Sequence, residues 1–271
     1  MGASGCAQQH ISQASSAPAM PPPAFQYLYG SGEGAAISVQ AYQALTRYVL
    51  GGAAESRVLV ADATLDAPRW EACEAKPKAV VLDADETALL NLGVEEWEAR
   101  APGPFDEKRW ERWEKTGDQA VTAVPGAVDA FAALRQAGVA IIFNTNRSAV
   151  TAEGTERALA AAGLGSFKHG ETLFLKGDVD GKSGKDGRRA EIAKRFCVVA
   201  LVGDQLGDFS DRFAIASVAA RRAAVTSGPI AKLWGQGWFV LPNPVYGSAL
   251  KGGFDDVFPA DKSWIDPVEE K

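Results

Sequence analysis

Histidine is nearly missing from this chain: His10 and His169 are the only two in 271 residues. A Ser-His-Asp triad or a multi-histidine metal site therefore lacks its parts, and any hydrolysis would have to run on carboxylates. Long hydrophobic runs are missing as well. No stretch reaches the roughly 20 apolar residues of a membrane helix, so the mature chain is not expected to span a bilayer. Blocks of Lys or Arg are also absent and the net charge is −6, which argues against a nucleic-acid duplex as partner. Of three cysteines, Cys197 opens the apolar run 198–202 and reads as core, while Cys73 falls in an expected helix. A disulfide between those two has no spacing signal and stays open.

The third cysteine stands apart. Ala3-Ser4-Gly5-Cys6 resembles the tail of a bacterial lipoprotein signal, in which small residues precede a cysteine that becomes the lipidated N-terminus. Residues 7–24, rich in Gln, Ser, Ala and Pro, read as a flexible tether behind it. The expected division is a leader over 1–24 and a single catalytic unit over 25–271. Within that unit the core covers about 76–240, with a helical subdomain drawn from about 25–75, 92–124 and the C-terminal segment.

From Glu33 to about Leu50 apolar residues recur at helical spacing, with Gly51-Gly52 as a stop. Gly30-Ser31-Gly32-Glu33-Gly34 has the look of a dinucleotide fingerprint, but no strand precedes it, so it is not read as a nucleotide cradle. A second helix is expected within 55–75. Strands are then expected at 79–82, 139–143, 173–175 and 198–202, with helices at 128–137, 152–162 and 188–196 between them. Continuous apolar strands alternating with helices predict an α/β fold: a doubly wound parallel sheet covered on both faces. The stretch 92–124, with Trp97, Trp110 and Trp113, interrupts the rhythm and is expected to cap the end of the first strand.

The strand ends carry the chemistry. After the first, Asp83-Ala84-Asp85-Glu86-Thr87 sends two carboxylates into one loop at the edge of the sheet where ligands collect. Read alone, this could equally be a helix cap. After the second comes Asn144-Thr145-Asn146-Arg147, read as a hydroxyl and successive N–H groups at a helix start, a phosphate cradle. After the third lies a basic loop, Lys182-Ser183-Gly184-Lys185-Asp186-Gly187-Arg188-Arg189, and after the fourth a second acid pair, Gly203-Asp204-Gln205-Leu206-Gly207-Asp208-Phe209. Clustered carboxylates repel unless a cation sits among them, and hard oxygen ligands beside a phosphate select Mg²⁺. Asp83 and Asp204 are the expected ligands. Thr145 and Lys185 would then orient the phosphoryl group for in-line attack by Asp83, while Asp85 protonates the leaving alcohol and afterwards activates water. An acidic or mildly acidic optimum is expected, because Asp85 must carry a proton for the first step. Asp178-Val179-Asp180 starts like a calcium loop, but Lys182 and Arg189 stand where that loop needs oxygen ligands.

At these residues the chain resembles the haloacid dehalogenase superfamily, and within it the class C bacterial acid phosphatases, also described as outer-membrane lipoprotein 5′-nucleotidases. The likeness covers about residues 27–250. It rests on Asp83, Asp85, Glu86, Thr87 and Asn91 in the first motif, Thr145 to Arg147 in the second, Lys185 with Arg188 in the third, and Gly203 to Phe209 in the fourth. The resemblance implies a Rossmann-like core with a smaller, mainly helical cap. It also implies Asp83 as nucleophile, Asp85 as acid and base with a metal-binding backbone carbonyl, Asp204 as third metal ligand and Asp208 as an orienting group. Asn146 and Arg147 fall with the substrate. Two aromatics are expected around the substrate's base, for which Trp110 and Tyr246 are the candidates. Two departures bear on the cap: Leu90 replaces an Asp common in the family, and Leu92-Gly93-Val94 replaces Ser-Pro-Tyr.

The expected function is a Mg²⁺-dependent phosphomonoesterase acting on nucleoside monophosphates and other small phosphate esters, in the bacterial cell envelope as an outer-membrane lipoprotein or periplasmic protein. The alternatives are a broad acid phosphatase without nucleotide preference and a non-catalytic surface ligand-binding lipoprotein on the same fold. Membrane contact is expected only through a lipid on Cys6, and a homo-oligomer is allowed.

Overall fold

The computed structural model describes residues 20–266. Cys6 and residues 7–19 of the expected tether lie outside the described residues. Pro23 and Ala24, read as the end of that tether, already belong to a helical turn, α1 (Pro23–Phe25), for which proline is a fitting first residue. A five-residue π-turn, Gln26–Gly30, leads into α2 (Gly32–Leu50). The glycine-rich stretch is a helix entrance, as the missing strand implied: the Ser31 hydroxyl accepts the Gly34 N–H at 2.9 Å. A Cβ on Gly34 would stand 2.4 Å from the Tyr27 carbonyl oxygen.

The expected helix within 55–75 does not form. Gly51-Gly52 end α2, Pro68 and Pro77 break up the segment before the first strand, and Leu59 pairs with Trp70 in an isolated antiparallel bridge. Cys73 therefore sits in irregular chain, where it forms a disulfide with Cys197 across 124 residues.

The core is one parallel sheet. Its strands are β1 (Lys78–Leu82), β4 (Ala140–Ser148), β5 (Leu173–Lys176), β6 (Cys197–Gly203) and β7 (Trp238–Val240), in spatial order β5-β4-β1-β6-β7. β2 (Leu89–Leu90) and β3 (Thr122–Ala123) make a separate two-stranded ladder beside the first strand's end. Alternate residues of the core strands face opposite layers. Val80, Leu82, Ile141, Phe143 and Val199 pack under α2, α5 (Ala127–Gln136) and α6 (Ala152–Ala161). Ala79, Val81, Ile142, Val198 and Leu201 pack with Ile192 of α7 (Asp186–Arg195) and with Phe209, Phe213 and Trp238. Both faces are covered, which is why the strands read as unbroken apolar runs. The expected doubly wound α/β core is therefore present. β1 lies at the centre, and the winding reverses between β1 and β6, so a crevice opens above their carboxyl ends.

Between β2 and β3 the chain forms α3 (Leu92–Arg100) and α4 (Glu107–Thr116), a helical insertion at that same edge. β4 runs further than expected: Asn144 to Arg147 belong to the strand, and α6 starts only at Ala152 after a 3₁₀ turn. The β4–β5 register shifts between Asn144 and Ser148, so the strand's end departs from regular pairing.

Candidate active site

Asp83 is the first residue past β1. Its N–H still donates to the Val202 carbonyl at 3.0 Å, which holds the backbone in the sheet while the side chain projects into the crevice. The Lys185 ammonium donates to Asp83 Oδ1 and to Asp208 Oδ1, both at 2.6 Å. Lys185 is aimed by the entrance to α7: the Asp211 carboxylate accepts the N–H groups of Lys185 and Asp186 at 2.9 and 2.8 Å. Asp204 emerges from β6. Its Oδ1 accepts from the Thr87 hydroxyl at 3.0 Å, and its Oδ2 from Asn243 Nδ2 at 2.8 Å and Gln205 Nε2 at 2.9 Å. Asp208 returns from a 3₁₀ turn so closely that a Cβ on Gly203 would stand 2.2 Å from its own. A glycine before Asp204 is thus a steric requirement.

Asp83, Asp204 and Asp208 each bring a carboxylate oxygen within 4.8 Å of the others. Burial pushes Asp83 up to about 8, with Lys185 opposing and Asp208 and Asp204 adding to the rise. Burial and then Asp208 push Asp204 up to about 7. Burial works against the Lys185 ammonium, yet Asp208 and Asp83 outweigh it and its pKa is raised. One lysine among three buried carboxylates leaves negative charge uncompensated. Oxygen-only donors, close together and preoriented by Thr87, Asn243 and Gln205, suit a hard divalent cation. The residues present fit such an ion.

A second group of side chains meets beside the first. Asp85 Oδ1 accepts from Asn91 Nδ2 at 2.9 Å and from Arg147 Nε at 2.8 Å, and Arg147 Nη2 forms an ion pair with it at 2.8 Å. Asn91 Oδ1 in turn accepts from Arg147 Nη2 at 2.7 Å and from the Trp113 indole at 3.2 Å. Glu86 is buried in the left-handed region at φ 50°, a conformation a non-glycine residue holds only when its surroundings impose it. Tyr29, Tyr246 and the Asn91 N–H all donate to its carboxylate, the first at 3.2 Å and the last at 3.1 Å. Burial, Asp85 and Glu95 push Glu86 up to about 8.

Asp83, Lys185, Asp204 and Asp208 thus come together, Asp83 and Asp204 from strand ends, Lys185 from the entrance to α7 and Asp208 from the 3₁₀ turn. The Asp85 carboxylate stands outside the metal-type cluster, held by Asn91 and Arg147. Arg147 was expected on substrate; its guanidinium is closed on Asp85 and Asn91 and only 1 % exposed. Thr145 is fully buried, its Oγ1 accepting from the Arg147 N–H at 3.2 Å, within the strand rather than at a helix start. Asn146 is exposed and accepts from Arg188 Nη2 at 2.5 Å. Trp110 makes its ring contact with Phe105, centroids 6.4 Å apart. The tryptophan bonded to the acidic loop is Trp113, through Asn91. Tyr246 is turned with its hydroxyl on Glu86. Glu86 and Asn91 carry more of the site than their place in the motif suggested. Their partners Tyr29, Tyr246, Arg147 and Trp113 lie far away in sequence, and only the acid-rich spacing hinted at them.

Acids past two neighbouring strands, with a lysine bridging Asp83 and Asp208, suit phosphoryl transfer, and the family match makes the chain a phosphomonoesterase. The chain belongs to the HAD superfamily, subfamily IIIB, the acid phosphatases, whose pattern it matches over residues 33–249. Among solved structures it is similar to the class C acid phosphatase from Bacillus anthracis, at 25 % identity and TM-score 0.67 over 83 % of this chain and 84 % of that one. The tungstate-bound crystal structure of class C acid phosphatase from Bacillus anthracis aligns at 24 % identity and TM-score 0.66, with the same coverage.

Proposed function

We propose that this acid phosphatase is Mg²⁺-dependent and hydrolyses nucleoside monophosphates and other small phosphate esters through an aspartyl phosphate on Asp83. The observation that carries this reading is the Asp83–Lys185–Asp208 bridge beside Asp204 at the winding reversal of the sheet. Asp83, Asp204 and the Asp85 backbone carbonyl would hold the ion, with Asp208 beside them. When bound, it offsets carboxylate repulsion and draws phosphoryl charge.

Asp83 attacks phosphorus, forming an acyl phosphate as the ester P–O bond breaks. Lys185 faces the phosphoryl oxygens from one side, with Thr145, Asn146 and the β4 backbone as further candidate contacts. Asp85 gives its proton to the departing alkoxide and then takes one from the water that attacks phosphorus and frees Asp83. Its Oδ1 is occupied by Asn91 and Arg147, so Oδ2 is the oxygen left to carry that proton. In this reading Arg147 positions the acid.

Phosphate release from a nucleoside monophosphate tests the proposal. Chelator should abolish it, Mg²⁺ should restore it, and Asp83→Asn should lower kcat by a factor on the order of 10³ or more. Turnover that survives both chelator and Asp83→Asn would contradict the reading.

A second reading, a broad acid phosphatase without nucleotide preference, is favoured by the place of Trp110 beside Phe105, which is 71 % exposed. Ranking nucleotide, sugar phosphate and aromatic phosphate by kcat/KM separates the two, with Trp110→Ala and Tyr246→Ala alongside; stacking on the base predicts that the nucleotide loses most. The Cys73–Cys197 disulfide supports a location outside the reducing cytoplasm. Lipid on Cys6 is the further expectation, read by mass spectrometry of the envelope-bound protein.

A further inference from the structure

α3 turns Leu92, Glu95, Glu96, Ala99 and Arg100, at helical spacing, toward the N-terminal segment. Between them lies a cavity of about 780 Å³, whose other wall includes Phe25, Tyr27 and Tyr29. That is the size range of small-molecule sites. Glu95 is 4 % exposed, and its carboxylate has no hydrogen bond or ion pair among the described residues. The charged groups around it do not answer it. Among the described residues Arg100 is the one cation on the wall, and it is paired with Glu96 at 2.8 Å. Glu98 and Asp85 add like charge, Glu98 itself being taken by Arg109 at 3.1 Å. A buried carboxylate without a partner is costly, so burial and these neighbours push Glu95 up to about 7.

Beside this charge stand aromatic rings. Phe25 and Tyr29 lie with centroids 5.9 Å apart and tilted by 52°. A ring face attracts a cation, more strongly where water is excluded. We propose that the cavity between α3 and residues 20–31 is a binding site for a small organic ammonium ion with a short apolar body, its charge on Glu95 and its methyl or methylene groups against Phe25, Tyr29 and Leu92. An anion is rejected by Glu95 and Glu96. A neutral apolar ligand would fill the space but leave Glu95 unpaired. The site stands apart from turnover, yet Tyr29 forms its wall and donates to Glu86, next to Asp85.

The test is a calorimetric titration of the full chain in Mg²⁺ with choline and with 3,3-dimethylbutan-1-ol, which has the same shape and no charge. Choline should bind about tenfold or more tightly than the alcohol, the ratio expected of a desolvated charge with a ring contact. Glu95→Gln should remove that preference and leave the alcohol within about twofold. Phe25→Ala, at a partly exposed position, should weaken choline more than the alcohol and serves if the Glu95 variant lacks a cooperative melt. Equal binding of the two probes, no binding of choline, or full choline affinity in folded Glu95→Gln each overturns the proposal.

Discussion

Lys185 answers two buried carboxylates at once, so its removal acts on stability and chemistry together. Asp83 and Asp208 would be left without a cation at positions whose side chains are only 11 % and 5 % exposed. Breaking a buried pair in this way costs about 3–5 kcal/mol. Lys185→Met is therefore expected to lower denaturant stability by about that amount in chelator and by less in Mg²⁺, with kcat lost in Mg²⁺; an equal loss of stability in the two conditions would show that no ion shares those oxygens. Asn91 makes the complementary case. It donates to Asp85 and Glu86 and accepts from Arg147 and Trp113, so Asn91→Leu takes a hydrogen bond from each of four polar partners at a fully buried point and leaves the Trp113 indole with none among the described residues. The expected cost is about 2–4 kcal/mol by denaturation. Asp85 would lose its seat, so kcat should fall about tenfold or more while KM changes less. Asp83, Asp85 and Asp204 were legible because each follows a strand end, a position that hydrophobic runs reveal, and Lys185 because it lies in a basic loop before a helix. The task of Asn91 was not. It depends on Arg147 and Trp113, 56 and 22 residues away, and no local pattern encodes which buried side chains will meet.

Elements were readable to the extent that burial is periodic. β1, β4, β5 and β6 announce themselves as apolar runs, and α5, α6 and α7 were expected within two residues of where they stand. β7 has three residues, Trp238–Val240, too short to show a period, and becomes a strand only because β6 offers an edge. The region 51–77 misled for the opposite reason. Apolar residues there suggested a helix, but prolines and the cross-link to β6 hold it as irregular chain along the sheet. That gives the disulfide a definite duty. Cys73→Ser should cost roughly 2–4 kcal/mol, since closing a loop of 124 residues removes much freedom from the unfolded chain. Reductant should lower the midpoint of the wild-type protein and leave the variant unmoved. A variant as stable as wild type would mean that Val58 and Leu59, both buried, hold the segment by packing alone.

Across the whole molecule the acids that burial affects most share one sign of shift, and this sets how stability should follow pH. Asp83 and Glu86 are pushed up to about 8, and Asp204 and Glu95 to about 7, in each case first by burial. Unfolded, such groups titrate near 4. Between about pH 4 and 8 the native chain therefore binds more protons than the unfolded chain, so its stability is greatest at the acidic end and falls as pH rises through the folded values. Each group contributes at most about 1.4 kcal/mol per pH unit across its own window. A divalent ion on Asp83, Asp204 and Asp208 replaces protons there and should flatten the fall, because ligands bind metal deprotonated. Melting followed from pH 5 to 8 should thus decline steeply in chelator and gently in Mg²⁺, and parallel curves would rule out a shared ion. Glu95→Gln isolates one contributor far from those ligands. It should match wild type near pH 4 and exceed it at pH 8, both with and without Mg²⁺, because the cavity carboxylate is charged at pH 8 without a partner and its loss leaves the metal-type cluster untouched.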